Sequence, residues 1–276
     1  ALDAVTSGAD NTAVGDNAGG ALTTGANNVA VGSGALDAGN PSYNVAVGVN
    51  ALGAVATGTS NVAVGTGALG ANTTGTVSVA VGHDALAAST TADNNVAVGN
   101  LALNANTTGA ANTAIGSTAL DANTTASNNT AVGYASLLAN TTGASNVAVG
   151  KDALIANTTG AQNVAIGMDA LDAATTVNNN VAIGFEALTA STIGDNVAVG
   201  TSAMAANTTG TYNVAVGKSA MTADTTGGNN TAIGAFALDA NTTASNNTAV
   251  GKDALTANTD GTPNTAIGYR AMDANT

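Results

Sequence analysis

The sequence predicts an all-β parallel β-solenoid, or β-roll, of about 16 coils built on a 17-residue repeat. Three observations carry this. The string Asn-(Val/Thr)-Ala-(Val/Ile)-Gly recurs along the whole chain, its glycine falling at 15, 32, 48, 65, 82, 99, 116, 133, 150, 167, 184, 200, 217, 234, 251 and 268. Thirteen of the 15 intervals are 17 residues and two are 16, too short for a helix pair or a propeller blade. Units rich in Gly, β-branched residues and Asn-Thr-Thr disfavour helix, and the alternation at the start of each unit has the period of two of a strand.

The unit reads N-[VT]-A-[VI]-G-x-x-A-[LM]-x-A-N-T-T-G-x-x, numbered here from its first Asn. Position 1 is Asn except at Ser78, and position 3 is Ala from Ala13 to Ala266. Position 4 is Val or Ile, position 8 is Ala except at Ser136, and position 9 is Leu or Met except at Gly19. Position 11 is Ala from Ala21 to Ala274. A strand is expected at positions 1–5 and a second extended segment at 8–12, with turns at 6–7 and 13–17. The two short units read Gly39-Asn40-Pro41 and Ser191-Thr192-Ile193-Gly194 in that last stretch, so it behaves as a loop that tolerates length change. Pro41 fits a loop, because proline cannot donate within a ladder.

Coils stacked at about 4.8 Å bring equivalent positions into rows. Positions 4 and 9, joined by Ala at 11, are expected to be the core. The Asn row, exemplified by Asn112, Asn129, Asn146, Asn163 and Asn180, reads as an amide ladder that satisfies buried polarity. The position 3 alanines, among them Ala114, Ala131, Ala148, Ala165 and Ala182, are expected on the opposite strand face. Their uniformity suggests the close approach of another chain. A thin coil buries little alone, so self-association, as a homotrimer, is expected.

Composition narrows the function classes. The 276 residues are 45% hydrophobic, 2% aromatic and 8% charged, with no cysteine and a formal charge of −13. Such a charge opposes nucleic-acid binding, which neutralises phosphates with Lys and Arg. No run of about 18 apolar residues suggests membrane insertion. Residues 1–276 read as one continuous array. It opens mid-unit at Ala1 and stops mid-unit at Asn275-Thr276 without caps, as expected of a segment of a longer array.

The Asn-Val-Ala-Val-Gly strings resemble the head repeats of trimeric autotransporter adhesins. The fuller unit Asn112-Thr113-Ala114-Ile115-Gly116-Ser117-Thr118-Ala119-Leu120-Asp121-Ala122-Asn123-Thr124-Thr125 resembles the repeats of phage-type tail-fibre proteins. The resemblance implies a parallel β-roll, a homotrimer, and a place on an extracellular fibre, at a cell surface or virion.

No catalytic, cofactor-binding or metal-ligating constellation stands out, and the chain is not expected to be an enzyme. His83 is the single histidine, at variable position 6. Asp152, Asp169 and Glu186 fall at position 7 of successive units, where a row of like charges would keep the solenoid soluble. Tyr134, Met168 and Phe185 at position 6, with Leu138 and Ile155 at position 10, form a candidate surface-binding patch. Aromatics beside carboxylates suit sugar stacking. The expected role is therefore a structural fibre segment mediating surface attachment. The alternative is a carbohydrate- or receptor-binding module using its flank. Ice binding through the Thr rows is more distant, because adjacent threonines in a strand face opposite ways.

Overall fold

A computed structural model describes residues 1–274; Asn275 and Thr276, where the sequence stops mid-unit, lie outside the described residues. The fold is an all-β parallel β-solenoid with one three-residue strand per repeat. It comprises two compact units, Ala1–Thr142 and Gly143–Thr276. The first holds eight strands, from β1 (Thr12–Val14) to β8 (Thr130–Val132), and the second holds eight, from β9 (Val147–Val149) to β16 (Thr265–Ile267). Within each unit, neighbouring strands pair in parallel with equivalent positions opposite. Ala114 lies across from Ala131 in the first unit and Ala165 across from Ala182 in the second.

The strand occupies only positions 2–4, yet hydrogen bonds between coils run round most of the circumference. In the coil of β7 (Thr113–Ile115) the Thr113 N–H donates to the Asn129 carbonyl at 2.8 Å, Leu120 to Ser136 at 3.0 Å, and Thr124 to Thr141 at 3.1 Å. The expected second extended segment at positions 8–12 is not formed. It is a chain of tight turns: Ala119 N–H reaches Gly116 O at 3.3 Å, and Asn123 N–H reaches Leu120 O at 3.2 Å. The turns put positions 7 and 9 in the left-handed region, as at Thr118 (φ 55°) and Leu120 (φ 56°). That conformation is unusual for leucine. It turns the side chain into the coil, where Leu120 is fully buried.

Position 5 must be glycine. Gly116 has φ +137°, and a Cβ built there would lie 2.3 Å from the carbonyl oxygen of Gly133 in the next coil. Both the backbone angle and the closeness of the neighbouring peptide exclude any side chain.

The alternation along the strand is as expected, but the two faces are exchanged. Ala114, Ala131, Ala148, Ala165 and Ala182 are fully buried inside their own coil, so they do not pack against another chain. Val and Ile at position 4 point outward instead, with Ile115 40% and Ile166 37% exposed. Position 11 also leaves the expected core: Ala122 and Ala156 are only half-buried. The interior rows are mainly Asn at 1, Ala at 3, Ala at 8, Leu or Met at 9, and at 12 most often Asn, with Leu22, Val55 and Asp224 among the exceptions. The reason is width. A lumen that already holds a leucine and two carboxamides per coil has room for a methyl group at position 3 and no more.

Candidate functional site

The most distinctive surface is the outer strand face. In each unit, positions 2 and 4 of the eight strands carry only Val, Ile or Thr. In the second unit position 2 runs Val147, Val164, Val181, Val197, Val214, and position 4 includes Ile166, Ile183 and Ile233. Position 2 is half-buried between β1 and β16, and position 4 is half-buried to exposed. β-Branched residues suit a strand on any face. Strand propensity alone would also admit Thr at position 4, and Thr never occurs there. No charge interrupts either row. This face, rather than the alanines, is the one available to a neighbouring surface.

The Asn row forms the expected amide-to-amide bond in places, as from Asn163 Nδ2 to Asn146 Oδ1 at 3.2 Å, but its regular bond is of another kind. The Asn112 N–H donates to Asn95 Oδ1 at 2.9 Å, and Asn129 N–H to Asn112 Oδ1 at 3.0 Å. The second unit repeats this, with Asn163 N–H on Asn146 Oδ1 at 3.0 Å and Asn180 N–H on Asn163 Oδ1 at 3.1 Å. The Nδ2 groups mostly cross their own coil: Asn112 Nδ2 reaches Ala126 O at 2.9 Å, and Asn146 Nδ2 reaches Gly160 O at 2.8 Å. The side chain thus clips one turn shut while receiving the backbone of the next coil. A second ladder lies at position 12, which sequence reasoning placed at the edge of a turn. There the amides do bond to one another: Asn123 Nδ2 to Asn106 Oδ1 at 2.8 Å, and Asn140 Nδ2 to Asn123 Oδ1 at 3.0 Å. The recurrence of Asn72, Asn106, Asn123, Asn140, Asn157, Asn207, Asn241 and Asn258 was the available signal.

The candidate binding patch divides between the units. In the first, Tyr134 is 57% exposed and Leu138 half-buried. In the second, Met168 and Phe185 are 42% and 40% exposed on successive coils, and Ile155 is half-buried. Asp152, Asp169 and Glu186 are half-buried at the adjacent position. Lys151 pairs with Asp152, and Lys252 with Asp253 at 2.9 Å. Burial pushes the Asp172 carboxyl up from the ordinary range, helped by the charges of Asp169 and Glu186. Burial does the same to Asp121, and to Asp239 with a smaller push from Asp253. His83 is exposed, its Nδ1 3.3 Å from Asp84 Oδ2.

The two short coils are handled differently. In the first, the Asn40 side chain replaces a missing peptide carbonyl. Its Oδ1 accepts the N–H groups of Thr23, Thr24 and Gly25 at 2.9, 2.8 and 2.7 Å. In the second, the lost residue leaves a polar notch of about 260 Å³ beside Asn178, Asn179, Ile193 and Asp195. Among the described residues no helix is long and apolar enough to cross a membrane. Comparison with protein-family models and with curated proteins gives no match.

Proposed function

We propose that this chain is a structural segment of an extracellular fibre, a shaft or head that holds a surface-attachment element. We further propose that copies associate side by side as a homotrimer through the outer strand face. The observation that carries the reading is the unbroken pair of β-branched rows on that face. A face left to water gains nothing from excluding every charged residue, whereas a covered one does. The ladders support the same reading. They bind each coil to the next by its backbone and side chains, which favours stiffness along the stack over a convergent pocket.

Mass measurement of the native protein tests the assembly. A trimer is expected at micromolar concentration, and Val164→Lys with Ile166→Lys should give a folded monomer. A folded wild-type monomer would remove the proposal. The second reading, a glycan-binding flank, is favoured by one observation, the exposed Met168 and Phe185 on successive coils. Glycan-array binding that disappears in Met168→Ala with Phe185→Ala, the fold being retained, would select it.

A further inference from the structure

We propose that Asp224 is a neutral, protonated rung of the position 12 ladder, and that loss of its proton loosens the coil of β13 (Val214–Val216), making this part of the solenoid pH-sensitive.

The geometry begins with the neighbours. At other rungs the amide oxygen accepts the N–H three residues on, as Asn72 Oδ1 accepts Gly75 N–H and Asn207 Oδ1 accepts Gly210 N–H, both at 2.8 Å. The amide nitrogen donates to the carbonyl of that same residue: Asn72 to Gly75 at 3.0 Å, Asn207 to Gly210 at 3.2 Å. Asp224 is the acid in this row, and it is fully buried. Its Oδ1 does the work of the amide oxygen, accepting Gly227 N–H at 3.2 Å and Asn241 Nδ2 at 2.8 Å. Its Oδ2 therefore stands where every asparagine rung has a donor, and it has no hydrogen-bond partner.

A carboxylate at that place would aim a charge at the Gly227 carbonyl and at the Asn207 rung in the coil before. A carboxylic acid would present an O–H where the ladder requires a donor. A buried polar atom without its bond is costly, and a buried unpaired charge more so. The polar side chains beside the group are Asn241 in the following coil and Asn230 near Gly227, and the same rung of the preceding coil is Asn207. None of these ionises. Burial pushes the Asp224 carboxyl up to about 7, against the lowering effect of the bonds from Asn241 and Gly227, and no neighbouring charge contributes.

The sign follows from linkage. A carboxyl whose folded pKa is raised gives stability that is complete below its unfolded value and is lost as pH rises through the folded one. The ordinary value for an aspartate is 3.8, so the loss runs from near pH 4 to about pH 7. In that window the unfolding equilibrium gains about tenfold per pH unit relative to a variant lacking the acid.

Two measurements test this. In the wild-type protein, the carboxyl-carbon resonance of Asp224 should titrate with a midpoint above pH 6; a midpoint near 4 would overturn the proposal. Asp224→Asn restores the residue found at most other rungs. Its advantage over wild type in denaturant unfolding should grow on the order of 100-fold between pH 5 and 7 and then level off. An advantage that is the same at both pH values would equally overturn it.

Discussion

The Nδ2 of Asn123 donates both to Oδ1 of Asn106 in the coil before, at 2.8 Å, and to the carbonyl of Ala126 across its own turn, at 3.1 Å. One fully buried side chain therefore closes a turn and joins two coils. Asn123→Ala removes both bonds and the one its Oδ1 accepts from Asn140, while the Ala126 carbonyl keeps its bond from Asn112, so a loss of about 1–3 kcal/mol is expected. Urea unfolding checks it; an unchanged midpoint would show the position 12 ladder to be dispensable.

Adjacent residues of β10 (Val164–Ile166) should respond in opposite ways to enlargement or charge. Ala165→Leu overfills a lumen that holds only a methyl group there, at a cost of about 1–3 kcal/mol or more. Ile166→Lys places its charge on the outer face and should leave the circular dichroism spectrum intact. If Ala165→Leu were tolerated and Ile166→Lys unfolded the chain, the assignment of the two faces would be reversed.

Gly116→Ala should be more damaging than any ordinary surface substitution. It forces a side chain into φ +137° and sets its Cβ 2.3 Å from a neighbouring carbonyl. Strained backbone of this kind costs about 1–3 kcal/mol before the clash is counted. Thermal unfolding of this variant beside Ser117→Ala, at the next position, provides the comparison.

Leu120 contributes the bulk of its coil's apolar burial from a left-handed backbone. Leu120→Ala should cost about 2–5 kcal/mol, because the ladder bonds on either side prevent the cavity from collapsing. A loss below 1 kcal/mol, read from denaturant unfolding, would mean that the coil closes over the gap.

Asp172 supplies a milder pH dependence in the same direction as Asp224. Burial and the charges of Asp169 and Glu186 raise its carboxyl, so its share of stability is present at low pH and lost as pH rises through the folded value. Asp172→Asn should therefore gain on wild type as pH increases from 4 to 7. Parallel melting curves across that range would exclude the effect.

The repeat period, the parallel register and the strand at the start of each unit were legible because sixteen copies restate them. Which face of the strand turns inward was not. Period-two alternation separates the faces but does not orient them when both are apolar, and Val at position 4 outranks Ala by hydrophobicity. What decides is the space taken by Leu120 and by the carboxamides of Asn112 and Asn123, a tertiary fact. The left-handed leucines were equally hidden, since propensity alone argues against them. Of the candidate surface, the exposure of Tyr134, Met168 and Phe185 followed from their variable position, whereas the notch beside Asp195 needed the neighbouring full-length coil to be seen.

Away from the two short coils, a 17-residue coil within either unit presents to the next much the same ring of backbone donors and acceptors that it receives from the one before. Removing or duplicating one whole repeat therefore leaves two surfaces that still match. At the level of the gene, an in-frame slip between identical repeat blocks changes the number of coils without creating a misfolded junction, and such a protein can vary in length from one lineage to another while keeping every local interaction it had.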